Sequence, residues 1–204
     1  MGSSPSAVKA LSFSRDGQTL VGVTDRELID WETTQLQPVN TRSFTATLQA
    51  ITRTDRGMLA FGLAPTLGAT VWELDPALSV FRAIDTAASR QASFSADGRW
   101  LALIDQGITL WDLETGALVR TLELKPETPI AIALSPDGRY LAVSQPAQSD
   151  TIELWSIADN QIVQSVLARD ITTLAFSPDG QSLFGGDRLG VISRWRLEIQ
   201  NTPP

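Results

Sequence analysis

The feature that most constrains this chain is an octet that returns four times almost unchanged. It reads Phe13-Ser14-Arg15-Asp16-Gly17-Gln18-Thr19-Leu20, Phe94-Ser95-Ala96-Asp97-Gly98-Arg99-Trp100-Leu101, Leu134-Ser135-Pro136-Asp137-Gly138-Arg139-Tyr140-Leu141 and Phe176-Ser177-Pro178-Asp179-Gly180-Gln181-Ser182-Leu183. A worn fifth copy runs Arg53-Thr54-Asp55-Arg56-Gly57-Met58-Leu59. Its glycine falls where the period requires. The steps from Gly17 through Gly57, Gly98 and Gly138 to Gly180 are 40, 41, 40 and 42 residues. A tryptophan follows each glycine by 13 to 17 residues: Trp31, Trp72, Trp111, Trp155 and Trp195. Such a period belongs to one supersecondary unit stacked on copies of itself, because no single copy can bury its apolar face alone.

Each unit has the same internal grammar. A loosely alternating apolar run comes first, as in Val8, Leu11 and Phe13 or Ile171, Leu174 and Phe176, the pattern of a half-buried strand. An Asp-Gly turn closes it in four units, glycine supplying the positive φ and aspartate capping the turn. A second apolar run follows, such as Leu101 to Ile104 or Leu141 to Val143. A third is centred on tryptophan, such as Ile108 to Leu113 or Ile152 to Ile157. A fourth follows another turn, as in Leu118 to Leu122 or Ile162 to Leu167. No helical period competes. Four strands in about 40 residues, repeated five times, predict an all-β chain: a β-propeller of five four-stranded units.

The expected boundaries are tails at 1–6 and 200–204 around a single propeller domain at 7–199. Its units lie near 7–43, 44–86, 87–127, 128–168 and 169–199. Unit five ends on its third strand, Val191 to Leu197, so it is expected to lack an outer strand and expose an edge. Three arrangements fit: a five-bladed ring closed without that strand, a piece of a larger propeller, or an open array completed by another chain.

Composition matters here for what it removes. With neither histidine nor cysteine in 204 residues, the chain holds no Ser-His-Asp triad, thiolate nucleophile, disulfide or His- or Cys-ligated metal. No cofactor is called for. A formal charge of −7 argues against nucleic acid as a partner. No apolar stretch approaches the ~20 residues of a membrane span. There is no secretory leader in Met1 to Ser6, which makes a cytoplasmic location the expectation.

The F-S-P-D-G turn, the Leu110-Trp111-Asp112-Leu113 strand and the ~40-residue period together resemble the WD40-repeat family, over roughly residues 7 to 199. The resemblance implies a β-propeller that works as a non-catalytic protein-protein interaction scaffold. The departures are specific. The family's Gly-His dipeptide is absent from every unit, so its His-Ser-Trp-Asp tetrad cannot form. The Asp after tryptophan survives only as Asp112, replaced elsewhere by Glu32, Glu73, Ser156 and Arg196. Each buried tryptophan N–H therefore needs a different acceptor.

An enzymatic alternative is a carbohydrate-acting propeller that needs only paired carboxylates. The predicted inner strands carry none, and the recurring Asp16, Asp55, Asp97, Asp137 and Asp179 read as turn caps. A further alternative is a sensory or scaffold module cut from a larger multidomain protein. The loops between second and third strands differ in every unit, and in a propeller they share one face with the entrances to the inner strands. The candidate partner-binding residues on that face and channel rim are Arg26, Arg90, Asp105, Asp150, Asp170, Asp187 and Arg188. The expected partners are other proteins, with self-association or partner closure at 191–197.

Overall fold

The computed structural model describes residues 7–14, 16–55, 57–74, 79–86, 89, 91–105, 107–122, 129–145 and 150–198. All of its regular structure is β. The first sheet holds β1 (Ala10–Phe13), β2 (Thr19–Val23), β3 (Glu27–Glu32) and β4 (Pro38–Ser43). The second holds β5 (Thr47–Thr54), β6 (Gly57–Ala64), β7 (Gly68–Glu73) and β8 (Ser79–Ala83). The third holds β9 (Gln91–Phe94), β10 (Trp100–Ile104), β11 (Ile108–Asp112) and β12 (Ala117–Leu122). The fourth holds β13 (Ala131–Leu134), β14 (Tyr140–Ser144), β15 (Thr151–Ser156) and β16 (Gln161–Leu167). The fifth holds β17 (Ile171–Phe176), β18 (Ser182–Asp187) and β19 (Ile192–Arg196).

In every sheet the spatial order is the chain order, so each is an antiparallel meander, the blade of a β-propeller. The fifth blade has three strands among the described residues, as the sequence predicts.

The recurring octet builds the turn between the first two strands. In the first blade Ser14 Oγ donates to Asp16 Oδ1 at 2.6 Å, the Gln18 N–H donates to the same oxygen at 3.0 Å, and the Thr19 N–H donates to Ser14 Oγ at 2.9 Å. The same three bonds recur around Asp97, Asp137 and Asp179. The glycine that follows takes φ of 68° to 71° in all four, which a side chain would resist. The worn copy is tighter. Its strands run to Thr54 and restart at Gly57, and the Thr54 hydroxyl donates to the Gly57 carbonyl at 2.8 Å.

A second irregularity is also periodic. In each four-stranded blade the pairing of third and fourth strands shifts between the tryptophan and the residue before it: Asp30/Trp31, Val71/Trp72, Leu110/Trp111 and Leu154/Trp155. An extra residue placed there sharpens the local twist as the outer strand turns away.

The backbone divides into two compact units, Met1–Ala92 and Ser93–Pro204. In the first, one face of blade one (Val21, Val23, Leu28) packs against Leu48, Ile51, Met58, Trp72 and Leu74 of blade two. In the second, blade three packs Ala102, Ile104, Ile108 and Leu110 against Ile132, Leu134, Leu141 and Val143 of blade four. Ser93 Oγ accepts the Leu134 N–H across that joint at 2.9 Å. The other face of blade four packs Ala142, Ile152 and Leu154 against Ile171, Leu174 and Leu183 of blade five. Trp100 and Tyr140 are half-buried against these two cores, so they serve packing.

Two sheet faces differ. Phe13 on β1 is 59% exposed, whereas Leu134 at the corresponding place on β13 is 5% exposed. Ile192 on β19 is 77% exposed, against 1% for Ile152 on β15.

Candidate functional site

Each meander has two ends with different chemistry. One carries the near-identical capped turns between first and second strands. The other carries the loops between second and third strands, together with the approach to the first strand. The candidate partner-binding residues read from the sequence belong to the connections at this second end.

In the first unit, Arg26 is exposed in the β2–β3 loop, and its carbonyl accepts the Phe44 N–H at 2.7 Å. The neighbouring Asp25 carbonyl accepts the Leu48 N–H at 3.1 Å, so this loop is tied to the entrance of the second blade. The Asp25 carboxylate pairs with Lys9, just before β1. Of this loop the sequence singled out Arg26, and the Lys9–Asp25 pair beside it was missed.

In the second unit, Asp105 is half-buried at the start of the β10–β11 loop, its N–H donating to the Gly107 carbonyl at 3.0 Å. Asp150 and Asp170 come from adjacent connections that the backbone brings together, since the Ala168 N–H donates to the Asp150 carbonyl at 2.7 Å. Arg169, which the sequence did not single out, pairs through Nε with Asp150 Oδ2 at 3.1 Å. Asp150 and Asp170 both have positive φ, 44° and 52°, a conformation aspartate tolerates better than most residues. Asp187 is used by its own turn: Oδ1 accepts the Leu189 and Val191 N–H groups at 2.8 and 2.9 Å. Arg188 beside it is exposed. Arg90, and Glu127 near the entrance of the fourth inner strand, lie outside the described residues.

The surviving Trp-Asp pair makes a separate construction on the third blade. Asp112 is only 5% exposed. Its Oδ2 accepts from Arg99 Nε at 3.1 Å and Nη2 at 3.0 Å. Its Oδ1 accepts the Glu114 and Thr115 N–H groups at 2.8 and 3.0 Å. Arg99 lies over the Trp100 ring, 4.7 Å from its centre. Burial works against ionisation of Asp112, but the Thr115 N–H, the Arg99 guanidinium and the Glu114 N–H outweigh it, holding its carboxyl below the ordinary carboxylate value. The Ser14 hydroxyl and the Gln18 N–H do the same for Asp16, as the Ser177 hydroxyl and the Gln181 N–H do for Asp179. All three are fixed anions with structural partners.

Two tryptophans find the replacement acceptors that the missing tetrad requires. Trp111 Nε1 donates to Thr109 Oγ1 and Trp155 Nε1 to Glu153 Oε2, both at 3.1 Å. Donor and acceptor are two residues apart on one strand, hence on one face. That spacing is the signal by which the sequence could have yielded both pairs. The inner strands β1, β5, β9, β13 and β17 carry no aspartate or glutamate.

No protein-family model matches the chain. It is 33% identical over 97 residues to WD repeat-containing protein SL1-17 of Schistosoma mansoni, covering 47% of this chain and 32% of that protein. It is 32% identical over 103 residues to small ribosomal subunit protein RACK1 of Candida albicans, covering 46% of this chain and 31% of that one. It is 28% identical over 162 residues to centriole proteome protein 16 of Chlamydomonas reinhardtii, covering 69% of this chain and 8% of that protein. The chain thus spans a third or less of the curated relatives it matches. The five meander blades, the ~40-residue period and these likenesses to WD-repeat proteins are consistent with the WD40-repeat family.

Proposed function

We propose that the chain is a non-catalytic scaffold for protein-protein interaction, working in the cytoplasm. Its docking surface is the loop end of the blades and the channel rim, with Arg26, Arg90, Asp105, Asp150, Asp170, Asp187 and Arg188 as candidate contacts. One observation carries this reading: four capped turns at one end are built alike, while the loops at the other end all differ. Loops that vary on a repeated sheet framework are where recognition is usually placed. The mechanism is steric and electrostatic complementarity, which sets partner choice and encounter rate more than raw affinity.

The test is charge reversal at the two ends. Arg26→Glu, Asp150→Lys and Arg188→Glu alter the loop end, and Arg139→Glu and Gln181→Lys alter the turn end. Tagged variants are compared by quantitative affinity purification. The reading expects loop-end variants to lose most co-purifying proteins and turn-end variants to keep them. The reverse pattern, or equal loss from both ends, sinks it.

A second reading, a sensory or scaffold module within a larger multidomain protein, is supported by the small share of each relative that the chain matches, 8% in one case.

A further inference from the structure

We propose that Asp179 is a site of spontaneous covalent modification, where its link to Gly180 isomerises to isoaspartate, and that Ser177 is the positioning residue restraining the reaction. The site lies at the turn end of the fifth blade, away from the loop-end contacts named above, and the proposal stands independently of them.

The recurring octet makes the reaction available, because it writes an Asp-Gly step into four turns: Asp16-Gly17, Asp97-Gly98, Asp137-Gly138 and Asp179-Gly180. Glycine has no Cβ to shield its backbone nitrogen from the preceding side chain. The Gly180 nitrogen attacks Asp179 Cγ and the N–Cγ bond forms. The nitrogen's proton and the carboxyl hydroxyl leave together as water, closing a succinimide ring. A second water then opens the ring at either carbonyl. One opening restores aspartate. The other leaves the chain running through the side chain, with the α-carboxylate free. Nothing is oxidised or reduced, and water is the only reagent. The reaction needs a neutral carboxyl, a disengaged Gly N–H, and room for Cγ to swing onto the nitrogen.

The octet's serine obstructs the first two requirements. In the fifth blade Ser177 Oγ donates to Asp179 Oδ1 at 2.5 Å and the Gln181 N–H donates to the same oxygen at 3.0 Å. These bonds favour the carboxylate, whose oxygen is a poor leaving group, and fix its rotamer. The Ser177 carbonyl meanwhile accepts the Gly180 N–H at 2.9 Å, holding the nucleophile away from Cγ. The fourth blade repeats all three bonds. Asp137 Oδ1 accepts from Ser135 Oγ at 2.6 Å and from the Arg139 N–H at 3.1 Å, and the Gly138 N–H donates to the Ser135 carbonyl at 3.0 Å.

Room is what separates the two turns. Both read Ser-Pro-Asp-Gly, and each blade follows another of the same compact unit, so their surroundings are directly comparable. Gly138 is buried beneath the preceding blade: a carbon added to its Cα would lie 2.3 Å from Trp100 Cδ1. Gly180 is half-buried, and the same carbon would meet only Pro136 Cδ, at 3.7 Å. Rotation of the Asp-Gly peptide, and the extra backbone carbon of isoaspartate, must push against the Trp100 ring in the fourth blade. In the fifth they meet open space. Asp179 itself is exposed.

The full chain is aged in warm neutral buffer, and isoaspartate at Asp137 and Asp179 is counted by peptide mapping with mass spectrometry. The chain unfolded in urea is the reference. Folded, Asp179 should isomerise about tenfold faster than Asp137, the factor that forcing atoms into a packed neighbour allows. Unfolded, the two identical Ser-Pro-Asp-Gly steps should react at one rate. Ser177→Ala should speed the reaction at Asp179 about tenfold, as loss of one hydrogen bond to a charged acceptor permits, and leave Asp137 unchanged. Ser177→Thr, which keeps the hydroxyl, should restore the slow rate. Equal rates at Asp137 and Asp179 in the folded chain, no acceleration in Ser177→Ala, or acceleration shared by Asp137 would each overturn the proposal.

Discussion

Replacing Asp112 with alanine tests whether the surviving Trp-Asp pair works as a turn lock. The substitution strands the Glu114 and Thr115 N–H groups in a part-buried turn, and each lost bond to a charged acceptor is worth about 1 kcal/mol. The Arg99 pair adds less, about 0.2–1 kcal/mol, because Arg99 is itself half exposed. The expected loss is therefore about 2–3 kcal/mol, read as a fall in the urea midpoint at unchanged slope. Asp112→Asn keeps an oxygen for the turn and should cost about half as much. Arg99→Ala should cost less than 1 kcal/mol. If Asp112→Ala proves no worse than Arg99→Ala, the turn bonds contribute nothing and the reasoning fails. The sign with pH is also fixed. A carboxyl whose folded-state pKa is depressed contributes fully above its unfolded value, near 4, and loses that contribution as pH falls through the folded value. The gap between wild type and Asp112→Asn should close only below about pH 4. With no histidine in the chain, it should stay flat from about pH 5 to 8.

Leu36 occupies the left-handed region (φ 53°) at the place held by Gly116 and Asn160 in two other blades, and it is 64% exposed. Leu36→Gly should raise stability by about 1 kcal/mol in urea unfolding. Gly138→Ala should lose about 2–4 kcal/mol, since a Cβ there would sit 2.3 Å from Trp100 Cδ1, and Gly17→Ala only about 1–2, since nothing lies within 4 Å. Equal losses in the same assay would show that backbone strain alone decides both. Leu141→Ala, in the joint between blades three and four, should cost about 2–5 kcal/mol in thermal or urea unfolding.

The sequence revealed the blades because their signals are local. A turn that caps itself and a strand that alternates are both written within eight residues, so even the worn copy at Gly57 fell into register. It could not reveal the Lys9–Asp25 and Arg169–Asp150 pairs, whose members meet only after the meander brings separate connections side by side. Nor could it distinguish Phe13 from Leu134. Both stand in the same octet, yet Leu134 packs into the joint between blades three and four at 5% exposure, while Phe13 is 59% exposed. Asp187 shows the opposite limit. Its residue type suits a partner contact, yet its oxygen is occupied by two N–H groups of its own loop.

Every hydrogen-bonded strand pair in the five sheets joins segments that are consecutive in the chain. Each blade can therefore be assembled from about 40 contiguous residues, with short loops to close and little entropy lost in closing them. During synthesis, a blade can form its hydrogen bonds before the next has left the ribosome, then wait for a neighbour to cover its apolar face. Folding of this kind starts at any blade and spreads by stacking, as in other repeat arrays. Gain or loss of one ~40-residue period would leave the pairing inside every other blade unchanged.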